Sequence, residues 1–202
     1  MILSSKINKF EFKNPILVAS GTYGYGDEVK NIVNINKLGG IVTKSVTIKP
    51  REGNPPPRIC ETPSGMLNSI GLANLGVDSF CKEKLPTLNQ IDTNVIINIA
   101  GSTFKEYLDI LEKLELKNPN CIGYEINISC PNVKAGGMEF GVSSEMTENL
   151  TKELKKNTDK MIIMKLSPNV TSIQDIAIAA EQGGADAVSA INTIVGMSID
   201  IN

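Results

Sequence analysis

The decapeptide Gly123-Tyr-Glu-Ile-Asn-Ile-Ser-Cys-Pro-Asn132 decides how this chain is read. Tyr124, Ile126 and Ile128 alternate with Glu125 and Asn127, the period-two pattern of a β-strand. Pro131 has no amide hydrogen for a sheet ladder, so it marks the change from strand to loop and puts Cys130 at the strand's C-terminal lip. In α/β proteins built on parallel strands, ligands bind and chemistry occurs at that lip.

Outward from this strand the same arrangement repeats. Residues 15–20 are a compact apolar run suited to a buried strand, and 40–46, 94–100, 160–167 and 185–193 read as further strands. Between them, 27–38, 77–88, 104–114, 147–157 and 172–182 carry helical spacing, weak in the first, while the fourth, rich in Lys and Glu, reads as a solvated helix. Residues 2–12 suit a short hairpin, and 47–74 form a long irregular connection too apolar for disorder, read as a folded loop packed over a site. The glycines of 133–141 suit a mobile flap over Cys130. Ser20, Lys44, Asn98, Asn127, Cys130, Lys165, Asn192 and Thr193 all fall at the same end of successive strands. Taken singly, each Asn, Ser or Thr reads equally as a cap or a satisfied buried amide. Their repetition in every unit points to a (β/α)8 barrel with its site at the C-terminal mouth. A doubly wound sheet is the other arrangement that such alternation allows.

Composition narrows the chemistry. The 202 residues contain no histidine, which excludes a histidine base, a Ser-His triad and histidine-ligated metal sites within this chain. Acid-base work therefore falls to Cys, Lys, Asp, Glu, Tyr or water. Cys60, Cys81, Cys121 and Cys130 lack metal-cluster spacing and read as free thiols. A net charge of -2 shows no basic excess for nucleic acid or a membrane surface. No apolar run approaches the roughly 20 residues of a membrane span, and the polar start is unlike a signal peptide, so the chain reads as cytoplasmic.

The motifs Asn127-Ile-Ser-Cys-Pro-Asn132, Thr43-Lys-Ser45, Asn68-Ser-Ile-Gly-Leu-Ala-Asn74, Lys165-Leu-Ser-Pro-Asn169 and Ile191-Asn-Thr193, in this order, resemble dihydroorotate dehydrogenase over essentially the whole chain. Ala19-Ser-Gly-Thr-Tyr-Gly-Tyr-Gly26 and Pro50-Arg-Glu-Gly-Asn-Pro-Pro-Pro-Arg58 look like the NAD-linked class 1B catalytic subunit. The resemblance implies a TIM (β/α)8 barrel that oxidises (S)-dihydroorotate to orotate in pyrimidine biosynthesis. It implies Cys130 as the general base, with hydride transfer to FMN. It places substrate beside Lys44, Asn68, Ser69, Ile70, Gly71, Leu72, Asn127, Asn192 and Thr193, and FMN beside Ser20, Gly21, Lys44, Ser45, Asn98, Asn127, Lys165 and Ile191. Electrons would pass to a partner subunit carrying FAD and a [2Fe-2S] cluster and then to NAD⁺, from a homodimer within a heterotetramer. The alternatives are a fumarate-dependent class 1A enzyme and a catalytically silent flavin- or pyrimidine-binding fragment.

The chain ends at Asn202, soon after the sixth expected strand. The expectation is a single FMN-binding barrel domain over residues 1–202 with about six of eight βα units present and the C-terminal part missing.

Overall fold

The computed structural model describes residues 3–29, 31–129 and 140–199. Strands β1 (Ser5–Ile7) and β2 (Phe10–Phe12) form an antiparallel hairpin. The chain continues through β3 (Leu17–Val18) and β4 (Gly40–Val42), then a second antiparallel hairpin of β5 (Ile59–Thr62) and β6 (Gly65–Asn68). Strands β7 (Asn94–Ile99), β8 (Gly123–Asn127), β9 (Met161–Lys165) and β10 (Ala187–Ser189) follow. Six of these strands make one parallel sheet in the order β10-β9-β8-β7-β4-β3. Every barrel strand thus pairs with its neighbour in the chain's strand-helix sequence, the order of a (β/α)8 barrel rather than of a doubly wound sheet.

The two faces of the sheet bury different things. Val95, Ile97, Ile99, Tyr124, Ile126, Ile162 and Met164 pack on the helices, against Tyr107, Leu111, Leu150, Leu154 and Ile176. Each such side chain, fully buried, contributes about 1.5–3 kcal/mol. The alternate positions Val42, Ile96, Met161 and Ile163 form a smaller cluster with Phe12. Phe12 comes from the N-terminal hairpin, which therefore closes the N-terminal end of the barrel interior. Above that apolar layer, the same faces of the strands carry Asn98, Glu125, Asn127 and Lys165, because side chains two apart share a face. Gly123 lets β8 sit tightly beside β9: a Cβ there would lie 2.4 Å from the Met161 carbonyl oxygen.

The helices start where side chains can cap them. α3 (Phe104–Glu115), α4 (Ser144–Lys156) and α5 (Ile173–Gln182) have Thr103, Ser143 and Ser172 at their N-caps, each accepting a bond from a first-turn amide. Residues 76–88 are a helical run of α1 (Gly76–Ser79), a π-turn (Phe80–Lys84) and α2 (Leu85–Leu88). Pro86 offers no amide hydrogen to the preceding turn, which suits a widened ladder just before it.

Four sequence expectations change. The described residues of the expected helix over 27–38, 27–29 and 31–38, form turns and one short 3-10 turn, Ile35–Lys37, rather than a helix. Val29, Ile32, Val33 and Ile35 are β-branched, and Asn31, Asn34 and Asn36 compete for backbone bonds; Asn34 indeed accepts from the Asn36 amide. The connection over 47–74 is not wholly irregular, since it contains the β5–β6 hairpin. The first barrel strand is only two residues long and lies at the sheet edge, with Leu17 exposed. The Lys- and Glu-rich helix is not wholly solvated: α4 buries Thr147, Leu150, Thr151 and Leu154 along one face.

Candidate active site

The polar layer at the C-terminal mouth is built from neighbouring strands in register. Asn98 on β7 is the Cα partner of Glu125 on β8, and Asn127 is the partner of Lys165 on β9. Asn98 Nδ2 donates to Glu125 Oε1 at 2.6 Å, and Lys165 Nζ stands 3.7 Å from the same oxygen. All three side chains are buried or nearly so. Asn98 Oδ1 and Ser129 Oγ are buried and have no hydrogen-bond partner among the described residues.

Beside this trio lies a second amide pair. Asn192 Nδ2 donates to Asn127 Oδ1 at 2.9 Å, and that oxygen also accepts from the Ser129 amide at 3.2 Å. The segment after β10 is held in place by its backbone: Asn192 N donates to Leu166 O, and Asn192 Oδ1 accepts from Thr193 N. Asn169 fixes it from β9's side, donating to Thr193 O and accepting from Val195 N. Tyr107 Oη donates to the Asn127 carbonyl at 2.7 Å, tying the end of β8 to α3.

The opposite rim is built from the first two barrel strands. Ser20 and Gly21 lie just after β3, and Gly21 has φ of +86° with open space where a Cβ would stand. That conformation suits glycine and leaves the backbone accessible. Lys44 follows β4, and its amide donates to the Gly24 carbonyl of the glycine loop. The Lys44 ammonium is half-buried and forms no ion pair or hydrogen bond among the described residues. Ser45 is buried, and Thr43 Oγ1 accepts from the Asn98 amide at 3.1 Å, so the β4 end is keyed to β7.

The long connection is pinned at its two ends by Asn74. Its Oδ1 accepts from the Gly76 and Thr47 amides, and its Nδ2 donates to the Leu72 carbonyl and to Thr47 Oγ1. Asn68 is exposed at the end of β6, and Ser69, Ile70, Gly71 and Leu72 follow in a loop held to Asn54. Among the described residues no hydrogen bond joins residues 68–72 to Asn127, Asn192 or Lys165. Ile191 is exposed beside Asn192. Cys130 and residues 133–139 of the expected flap lie outside the described residues.

The other cysteines are poor candidates for acid-base work. Burial pushes the Cys121 thiol up to about 11 and also raises that of Cys81, so both stay protonated at neutral pH. Cys60 is exposed on β5. Among the described residues no cluster of three or more His, Cys, Asp or Glu could hold a metal ion, and no helix is long and apolar enough to cross a membrane.

Glu125, Asn169, Tyr107 and Asn74 carry parts of this site that the sequence reading gave no role. Glu125 had a signal, since it is an acid two residues from Asn127 on an otherwise apolar or amide face. The other three act through partners far along the chain.

Comparison with known proteins places the chain in a family. A family model described as dihydroorotate dehydrogenase matches residues 2–202. The chain is 53% identical over 202 residues to the dihydroorotate dehydrogenase B (NAD(+)) catalytic subunit of Thermoanaerobacter sp. (strain X514), covering all of this chain and 66% of that protein. It is 50% identical over 199 residues to the protein so named from Bacteroides thetaiotaomicron, covering 98% of this chain and 65% of the relative. The chain thus spans just under two thirds of the length of the curated relatives it matches. With a parallel sheet in barrel order and a match over nearly every residue, the chain belongs to the dihydroorotate dehydrogenase family.

Proposed function

We propose that residues 1–202 act as one FMN-binding unit of an NAD-linked dihydroorotate dehydrogenase, oxidising (S)-dihydroorotate to orotate in pyrimidine biosynthesis in the cytoplasm. The observation that carries this reading is the amide pair Asn127–Asn192 standing beside the Asn98–Glu125–Lys165 trio at the barrel mouth. The names of the relatives point the same way.

The residues present fit a flavin. Asn98 Oδ1 is a buried acceptor with no donor among the described residues, which leaves it open to a ligand, and Ser129 Oγ is likewise without a partner among them. Ser20, Gly21, Lys44, Ser45, Asn98, Asn127, Lys165 and Ile191 would hold the cofactor. Bound there, FMN supplies the acceptor for the hydride that leaves C6 of dihydroorotate. Cys130, three residues beyond the last residue of β8 in the sequence, takes the proton from C5 as general base; a thiol with an ordinary pKa of about 8.5 suits that task near neutral pH. Asn127, Asn192 and Thr193, with Lys44 and residues 68–72, hold the pyrimidine, whose alternating donors and acceptors match amides that offer both. Lys44 and Lys165 place two cations at the mouth, complementary to the substrate carboxylate and to an electron-rich cofactor. The words "catalytic subunit" in the relatives' names support a separate partner. We assign FAD and a [2Fe-2S] cluster to that partner, in a heterotetramer around a homodimer, with NAD⁺ as final acceptor.

The experiment is an anaerobic visible spectrum of the purified protein before and after dihydroorotate. Flavin bands should bleach on addition. Bands that persist reject the substrate, and absence of bands rejects the cofactor. Cys130→Ser should lower turnover at pH 7 by about 100-fold or more; unchanged turnover rejects the base.

A further inference from the structure

Glu125 is the one acid on the inner face of β8, with its side chain 5% exposed, above a layer of Ile96 and Ile163. A buried carboxylate is costly unless paired, and here it has two partners on two different strands. Its Oε1 accepts from Asn98 Nδ2 at 2.6 Å and lies 3.7 Å from Lys165 Nζ, the first a hydrogen bond and the second an ion pair without one. An ionised carboxylate only accepts. Asn98 must therefore turn its NH₂ toward Glu125, and its Oδ1 is forced to the other side. That oxygen is buried and has no hydrogen-bond partner among the described residues.

We propose that Glu125 is a positioning residue of the cofactor site: it sets the direction of the Asn98 carboxamide, so that an acceptor and never a donor meets the bound cofactor, and it tethers Lys165 beside it. The inference rests on the flavin reading above. It also explains the residue types. A glutamine at position 125 would fill the same space yet could show Asn98 either a carbonyl or an amide, leaving the outward end of Asn98 undetermined. An apolar residue would pack on Ile96 and Ile163 but leave Asn98 Nδ2 and Lys165 without their shared oxygen.

The test uses the flavin-loaded, full-length protein. Glu125→Gln should raise the flavin dissociation constant, read by fluorescence, at least about tenfold. Combining Glu125→Gln with Asn98→Asp reverses donor and acceptor, keeps the summed charge of the trio and again presents an acceptor outward. That double variant should return to within about threefold of wild type. Wild-type affinity in Glu125→Gln, or a double variant no better than the single one, overturns the proposal.

A second readout needs no flavin. The side-chain amide protons of Asn98, assigned by their loss in Asn98→Asp, should resonate downfield and exchange slowly in wild type. They should lose that signature in Glu125→Gln and keep it in Glu125→Asp, which remains acceptor-only. If the wild-type protein holds no flavin, the flavin reading fails and this amide signature alone decides the role of Glu125. An Asn98 amide unchanged between wild type and Glu125→Gln overturns it.

Discussion

Asp186, just before β10, shows how one side chain joins three parts of the fold. Burial pushes its carboxyl up, but the Lys155 ammonium at 2.7 Å, the Ile162 amide at 2.9 Å and the Asn8 amide at 3.1 Å outweigh that and hold it below its ordinary 3.8. The folded state therefore binds this proton more weakly than the unfolded state does. The stabilisation is complete above the unfolded value and disappears as pH falls through the lower folded one. Asp186→Asn should cost about 1–3 kcal/mol at pH 7 and weaken the fall in stability below about pH 4. Urea unfolding at pH 7 and at pH 3 checks both; equal acid sensitivity in the variant would contradict the assignment. At the same scale, the trio of Asn98, Glu125 and Lys165 was half legible. The sequence marks three polar residues near strand ends, but which atom meets which follows from strand register alone.

Among the elements, the connection from β4 to α1 depends most on one residue. Asn74 is buried and uses both ends of its carboxamide, toward Thr47 on one side of the connection and Gly76 on the other. Arg51 adds an antiparallel bridge to the Asn74 backbone. Truncation leaves the buried Thr47 and Gly76 amides without this acceptor, so Asn74→Ala should destabilise by about 2–4 kcal/mol. Faster hydrogen exchange at the Thr47 and Gly76 amides should accompany it; unchanged exchange would place the anchor elsewhere. The sequence reading recognised a folded loop here from its apolar content. It missed the β5–β6 hairpin because no tight hairpin dipeptide marks the turn at Pro63-Ser64.

For the molecule as a whole, the N-terminal hairpin acts as a floor. Phe12 is 2% exposed and packs with Val42, Ile96, Met161 and Ile163 inside the barrel, while Asn8 reaches Asp186 and Asn94 reaches back to Glu11. Three residues of the hairpin, Asn8, Glu11 and Phe12, thus contact elements spread over most of the described chain. Phe12→Ala should cost about 3–5 kcal/mol by emptying the interior below the polar layer, as measured by denaturant midpoint. A loss under about 1 kcal/mol would mean that the hairpin is an ornament rather than a floor. The outer strands β3 and β10 are the edges of the sheet, and Ile16, Leu17, Val188 and Ile191 are exposed there.

What the sequence by itself determined is local: the period of each strand, the polar strand ends and, through the absence of histidine, the classes of chemistry excluded. These follow from neighbours a few residues apart, whose spacing is the same in the unfolded chain. Only the tertiary structure decided that Asn98 meets Glu125 across 27 positions and that Asn127 meets Asn192 across 65. It also decided that residues 27–29 and 31–38 do not form a continuous helix. Such pairings depend on strand register and on competition between weak local preferences and packing, and neither is encoded in any short stretch of residues.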